Sequence, residues 1–281
     1  MRKYGMHSIM KELLIILESH RSNNKGKYIM RNPYKTIIKS MNLHYRPILG
    51  TASAKTIKGE KIGYLTAICY LQPDEHICPM AKLAGCLYPC LGTAGRGAFN
   101  SVQKARKAKT EFFKDNQLSF MLSMAADIWA LERKAKAKGL ILLVRPNGTS
   151  DTCYENIIVI NEKNIFQLFP DVQFYDYTKH PSRKLEGKTC GNYDLTYSFS
   201  GITPIKITHK GLLNPDNSRV AVVFHKQSEI PLHFNGWKVI DGDNTDVRHI
   251  EPKAVVVALY AKGRGKRDMS GFVQHKGINY A

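Results

Sequence analysis

The sequence predicts an α/β protein with a (β/α) barrel-like fold, complete or incomplete, whose strands are mostly parallel and follow an N-terminal helical extension. Short apolar segments rich in Val and Ile recur along the chain, which is typical of parallel strands covered on both faces. Two long segments with helical periodicity separate the first two of these strands. We therefore divide the chain into an extension over residues 1–60 and a barrel-like catalytic domain over residues 61–281.

The extension is predicted to contain one short amphipathic helix. Residues 7–19 carry apolar side chains at helical spacing, and a polar stretch follows them. The apolar run at residues 13–17 is shorter than the core of a signal peptide, and it is also shorter than the roughly 20 residues that span a bilayer. We expect a cytoplasmic protein with no membrane partner.

The catalytic domain is predicted to alternate strands with helices or loops. Helices are expected at residues 100–114 and 117–138, and the second has one continuous apolar face. The strand candidates are residues 62–70, 140–146, 172–177, 194–199, 219–225, 238–241 and 254–260.

Ionisable and hydrogen-bonding side chains follow successive strand candidates. In a (β/α) barrel these positions converge on one mouth, where the active sites of that fold lie. The alternative is that loops after strands are simply polar. The catalytic candidates are Asp151, Asp176, His225 and Asp243. The candidates for substrate binding are Arg145, Asn147, Thr149, Lys179 and Lys262.

Three closely spaced cysteines predict a metal site. Cys78, Cys86 and Cys90 follow the first strand candidate with the spacing C-x7-C-x3-C, and three thiolates suit one soft metal centre. We favour a [4Fe–4S] cluster that keeps one iron open for a ligand. Zinc is the alternative, with His76 as the fourth ligand of a Cys3His site. Buried free thiols are the third interpretation.

The charge of the chain predicts a polyanionic partner. Lys and Arg number 42 against 23 Asp and Glu, which gives a formal charge of +19. Nucleic acid, either DNA or RNA, is the expected partner because neutralising its phosphates releases counterions. The less favoured alternative is a lysine-rich solvated surface. The excess is concentrated in the basic runs at residues 104–109, 133–138 and 262–267.

About three-quarters of the chain, from Gly63 to Val273, resembles a family of tailed-phage proteins, and it is similar, more distantly, to a mycobacteriophage gene-product family. The resemblance implies a phage protein in the cytoplasm of an infected host cell, and it assigns no reaction. The motifs that carry it are Cys78-Pro-Met-Ala81, Ala84-Gly-Cys86, Cys90-Leu-Gly-Thr-Ala-Gly-Arg-Gly97, Asn147-Gly-Thr-Ser-Asp151, Phe174-Tyr-Asp-Tyr-Thr-Lys179, Ala221-Val-Val-Phe224, Ile240-Asp-Gly-Asp243, Ala261-Lys-Gly263 and Ser270-Gly-Phe-Val273.

Two enzyme classes compete for the mechanism, and a non-enzymatic class remains open. A cysteine triad after the first strand resembles radical S-adenosylmethionine enzymes, although their usual spacing is C-x3-C-x2-C. The second resemblance is to base-exchanging transglycosylases of the 7-deazaguanine type, which combine a zinc site with two aspartates, here Asp151 and Asp243. The third class is a basic zinc module that binds nucleic acid without chemistry. We predict an iron–sulfur enzyme that modifies nucleic acid and that could bind S-adenosylmethionine.

Overall fold

The computed structural model describes residues 31–52, 54–180, 183, 187–202 and 219–280. The amphipathic helix predicted at residues 7–19 lies outside the described residues. All seven strand candidates are confirmed as strands at nearly the predicted bounds. The strands are β1 (Leu49–Gly50), β2 (Tyr64–Cys69), β3 (Ile141–Arg145), β4 (Gln173–Thr178), β5 (Tyr193–Ser198), β6 (Arg219–Phe224), β7 (His233–Phe234), β8 (Trp237–Asp241) and β9 (Val255–Tyr260).

Both predicted long helices are confirmed, and three shorter helices accompany them. Asn32 caps α1 by accepting hydrogen bonds from the N–H groups of Tyr34 and Lys35, and Pro33 stands at its first position. Both features favour a helix start. The helices are α1 (Pro33–Ser40), α2 (Ala54–Glu60), α3 (Asn100–Asp115), α4 (Gln117–Ala137) and α5 (Ile165–Leu168).

The described strands form one mixed sheet of nine strands in the order β1-β2-β3-β4-β5-β6-β9-β8-β7. Strands β2 to β6, β9 and β8 pair in parallel, whereas β1 and β7 are antiparallel to their neighbours and form the two edges. Strand β9 lies between β6 and β8, although it follows β8 in the chain.

The prediction of a mostly parallel (β/α) barrel is therefore wrong. A barrel closes by pairing its first and last strands, but within the described residues β1 pairs only with β2 and β7 only with β8. Few helices connect the strands. The chain between β8 and β9, for example, contains only the short 3₁₀ turn Arg248–Ile250. The sheet is mixed because two strands of two residues each, β1 and β7, which the apolar pattern did not reveal, add an antiparallel strand at each edge.

Helices α1 and α4 cover one face of the sheet and form the largest core. Side chains of α4 from Phe120 to Ile128 pack on β2 and β3 together with Ile37 and Ile38 of α1. None of the helices in the described part of the chain is long and apolar enough to cross a membrane. This core fixes the positions of β2, β3 and β4, so the loops after these three strands lie side by side.

Candidate functional site

A cavity of about 210 Å³ lies beyond the carboxyl ends of these strands. Its walls come from segments that are far apart in the sequence: the cysteine segment 78–91, the turn after β3, the end of β4, the end of β9 with the turn after it, and residues 272–273. Such clefts at the carboxyl edge of parallel strands are the usual ligand sites of open α/β sheets. The cavity is the candidate functional site.

The turn after β3, Asn147 to Asp151, forms the floor of the cavity. The side-chain oxygen of Asn147 accepts hydrogen bonds from the Ser150 hydroxyl (2.7 Å) and the Thr152 N–H (2.8 Å), which closes the turn on itself. Gly148 donates its N–H to the Cys69 carbonyl at 2.8 Å. A Cβ atom on Gly148 would lie 2.5 Å from that oxygen, so only glycine fits there.

The cysteine segment forms a second wall, and Cys78, Cys86 and Cys90 all line the cavity. The segment is anchored by Arg106 of α3, whose Nη1 donates a hydrogen bond to the Gly92 carbonyl at 2.7 Å. The Cys78 thiol is 4.0 Å from the Thr149 carbonyl oxygen, which joins this wall to the floor. Among the described residues, no three Cys, His, Asp or Glu side chains stand close enough to hold a metal ion as they are.

The protein environment keeps these thiols neutral in the absence of a ligand. Burial, together with the neighbouring Cys90, Asp151 and Cys86, raises the pKa of Cys78 to about 12. Burial also raises the pKa of Cys86 and of Cys90. Because a metal ligand must be a thiolate, a bound metal would have to displace these protons.

Lys179 brings a positive charge to the same cavity. Burial lowers its pKa to about 8, while Cys86, Asp151 and Cys90 act in the opposite direction. Its ammonium group donates to the Ser198 hydroxyl (2.7 Å), the Ser198 carbonyl (2.8 Å) and the Phe199 carbonyl (3.2 Å). All three acceptors are neutral. Lys179 can therefore balance negative charge that develops at the cysteine wall.

Asp151 is buried between the floor and Lys179. Its Oδ2 accepts the Lys179 N–H at 2.8 Å, and its Oδ1 lies 3.4 Å from Nη1 of Arg183. Burial raises the pKa of Asp151, and both partners oppose that shift. The side chains of Asp243 and Lys262, which also line the cavity, are paired at 2.5 Å.

The structure brings most of the predicted site residues together. Those that line the cavity are Cys78, Cys86, Cys90, Arg145, Asn147, Thr149, Asp151, Lys179, Asp243 and Lys262. Arg145 is held with its guanidinium 4.7 Å from the Tyr177 ring centre and 3.1 Å from Asp246.

Three predicted residues do not line the cavity. Asp176 lies inside β4 rather than after it, so its side chain turns to the helix-covered face of the sheet and is fully buried. His225 is covered by the C-terminal segment, since its N–H donates to the Gln274 carbonyl and its ring stacks on His275. His76 is exposed, and the turn that carries it is capped by Asp74.

Several lining residues were missed by the sequence argument. Ser198 and Tyr177 stand at strand ends and could have been included by the same rule, whereas Phe272 and Val273 belong to a segment without periodicity. No feature of the sequence indicated that Arg183 contributes to the site. Its side chain is 3% exposed and pairs with Glu155 at 2.5 Å as well as with Asp151.

Fold and site together define a mixed α/β protein with a cysteine-lined cavity at the carboxyl edge of its sheet. The family model described as "Gene product 88" matches residues 47–276, so the chain belongs to the gene product 88 family. This agrees with the resemblance to phage gene-product families. Searches of curated proteins and of solved structures found no match.

Proposed function

We propose that this protein is an iron–sulfur enzyme that modifies nucleic acid. The observation that carries the proposal is that Cys78, Cys86 and Cys90 line one cavity with Lys179 and Asp151. A cluster held by three thiolates keeps one iron open, and S-adenosylmethionine is the ligand that we expect there. The formal charge of +19 supports a polyanionic substrate.

The surroundings of the thiols suit an anionic cluster. The positive charges of Arg106 and Lys179 both act to lower the pKa of Cys90, against the effect of burial. A single zinc ion requires all its ligands within about 2.3 Å of one point. In a cubane cluster each thiolate binds a separate iron, so the three cysteine side chains do not have to converge on one point. His76, the expected fourth zinc ligand, does not line the cavity.

The test is anaerobic purification followed by iron, zinc and acid-labile sulfide analysis and a visible absorption spectrum. We expect iron and sulfide in the wild-type protein and a loss of more than about tenfold in each of C78A, C86A and C90A. The matched controls are C153A and C190A, since neither residue lines the cavity. Cluster content that survives all three cavity substitutions would overturn the proposal.

A zinc-dependent transglycosylase is the second candidate, because Asp151 and Asp243 both line the cavity. In that mechanism one carboxylate acts as a nucleophile and the other as an acid or base. Stoichiometric zinc without sulfide, lost in the same three cysteine variants, would favour it. Zinc together with nucleic-acid binding but no base exchange would favour a non-enzymatic module.

A further inference from the structure

Two Gly-Arg-Gly turns lie against each other at the mouth of the cavity. The first, Gly95–Ala98, follows the cysteine segment, and the second, Gly263–Arg267, follows β9. A Cβ atom on Gly263 would lie 3.1 Å from the Ala94 Cα, and one on Gly265 would lie 3.4 Å from the Pro89 carbonyl oxygen. The glycines therefore allow the two turns to pack closely and to form one continuous rim.

The rim carries exposed positive charge. Arg96, Arg264, Lys266 and Arg267 are all exposed. None of the ion pairs within the described part of the chain involves these four side chains. Four such cations in two adjacent turns are complementary to a phosphate backbone.

Exposed aromatic rings accompany the charge. Tyr88 is 55% exposed and Phe99 is 62% exposed, although both belong to the segments that form the mouth. The Arg264 guanidinium lies 5.7 Å from the Tyr88 ring centre, so cation and ring share one surface. Aromatic faces next to cations are the usual platform for unpaired bases, because each base can stack while its phosphate is neutralised.

We propose that this rim, defined as residues 88–91, 94–99 and 262–267, binds single-stranded nucleic acid and presents one unstacked base to the cavity. Bases inside a duplex offer no free face to Tyr88 or Phe99, so the rim selects unpaired strands. Pro89, Leu91, Lys262 and Gly265 line the cavity as well as the rim, which makes the path from strand to cavity continuous. The part concerning the cavity rests on the proposed function; binding by the rim does not.

Fluorescence anisotropy with labelled oligothymidylate, oligouridylate and a DNA duplex of equal length tests the rim. At about 0.15 M salt, where exposed charges are screened beyond about 8 Å, we expect R96E/R264E to bind the single strands at least about tenfold more weakly. The salt slope should fall by about 0.7 for each phosphate that the variant no longer neutralises. The DNA and RNA strands show which sugar is preferred.

The matched control is K134E/K136E, which makes the same charge change on exposed residues at the end of α4. That end of α4 lies beside the start of β3, whereas the cavity lies beyond the carboxyl ends of the strands. Because salt screens exposed charges over such a distance, we expect binding to change by less than about twofold. Equal losses of binding affinity in the two double variants would show that the rim contributes only nonspecific positive charge, and this result would overturn the proposal.

The stacking contribution is tested separately. We expect Y88A and F99A each to weaken single-strand binding about fivefold or more, and the conservative variants Y88F and F99Y to retain it. Duplex binding as tight as single-strand binding would overturn the proposal, as would no binding to any strand.

Iron and sulfide are measured on the same preparations, so the two proposals fail separately. Rim-dependent binding by a protein without a cluster would remove the iron–sulfur proposal and leave the rim in place. A protein that contains the cluster but whose rim variants bind nucleic acid like the wild type would remove the rim proposal and leave the iron–sulfur proposal in place.

Discussion

Asn147 and Asp176 are joined by two hydrogen bonds: the Asn147 N–H donates to Oδ1 at 2.9 Å, and its side-chain amide donates to Oδ2 at 3.0 Å. The Tyr193 hydroxyl donates to the same Oδ2 at 2.7 Å. A buried carboxylate thereby ties the end of β3 to β4 and β5. Asp176 supports the floor of the cavity from beneath, a structural contact that the sequence analysis did not predict.

The first prediction concerns the pH dependence of stability. Burial raises the pKa of Asp176 from 3.8 to about 7, against the opposing effects of Arg145 and Tyr193. The folded state therefore holds this proton more tightly than the unfolded state. The resulting stabilisation is complete below pH 3.8 and is lost as the pH rises to about 7.

Replacing Asp176 with Asn removes that titration. We expect the unfolding free energy of the wild type, relative to D176N, to fall by at least about 1 kcal/mol between pH 4 and pH 7. Urea denaturation at several pH values measures this difference. The control D171N makes the same change at an exposed site. A constant difference across the range would contradict the assignment.

The second prediction concerns the tight turn at Gly148. The G148A variant should lose about 1–3 kcal/mol of stability, because its new methyl group meets the Cys69 carbonyl and the Ile68 side chain. The control G50A adds the same atom where the nearest neighbour is 3.9 Å away. Equal unfolding free energies for G148A and the wild type would show that the turn can shift.

The third prediction concerns the buried ion pair of Arg183 with Glu155. Removing one partner leaves an uncompensated buried charge, so R183M should cost about 3–5 kcal/mol. The double variant R183M/E155M should recover at least about 1 kcal/mol of that loss, since it removes both charges. Urea denaturation of the two variants measures this. A double variant less stable than R183M would show that the Glu155 carboxylate left behind by R183M is not a destabilising buried charge.

The fourth prediction concerns thiol reactivity in the metal-free protein. Iodoacetamide at about pH 8 should label exposed Cys190 well before Cys78, because only the thiolate reacts and burial raises the pKa of Cys78 to about 12. Peptide mass spectrometry follows both sites. Reconstitution with iron and sulfide should protect Cys78, Cys86 and Cys90 and leave Cys190 reactive. Similar labelling rates at Cys78 and Cys190 would contradict the buried environment of the cavity.

The strands could be predicted from the sequence because each is an apolar segment bounded by polar residues. Strands β1 and β7 could not, since two residues carry no periodicity. Closure into a barrel was the wrong inference, because apolar patterning locates strands without showing which edge strands pair. The antiparallel partners at both edges depend on tertiary contacts.

The cavity residues could be predicted where they directly follow a strand. Lys179 comes after the last residue of β4, Thr178, and reaches the cavity. Asp176 was assigned to the site as if it followed the strand, although it lies inside the predicted strand 172–177, where side chains alternate between the two faces of the sheet. His225 does follow β6, but no local pattern shows that residues 272–275 return to cover it.

The position of β9 between β6 and β8 affects the order in which the chain can assemble on the ribosome. Strands β2 to β5 each lie beside the next strand to be synthesised, so the sheet from β2 to β6 can grow as the chain emerges. The β7–β8 hairpin must wait, because its place in the sheet exists only once β9 has been made. Until then the edge of β6 is open, and an open edge is where a nascent chain can pair with a neighbouring polypeptide.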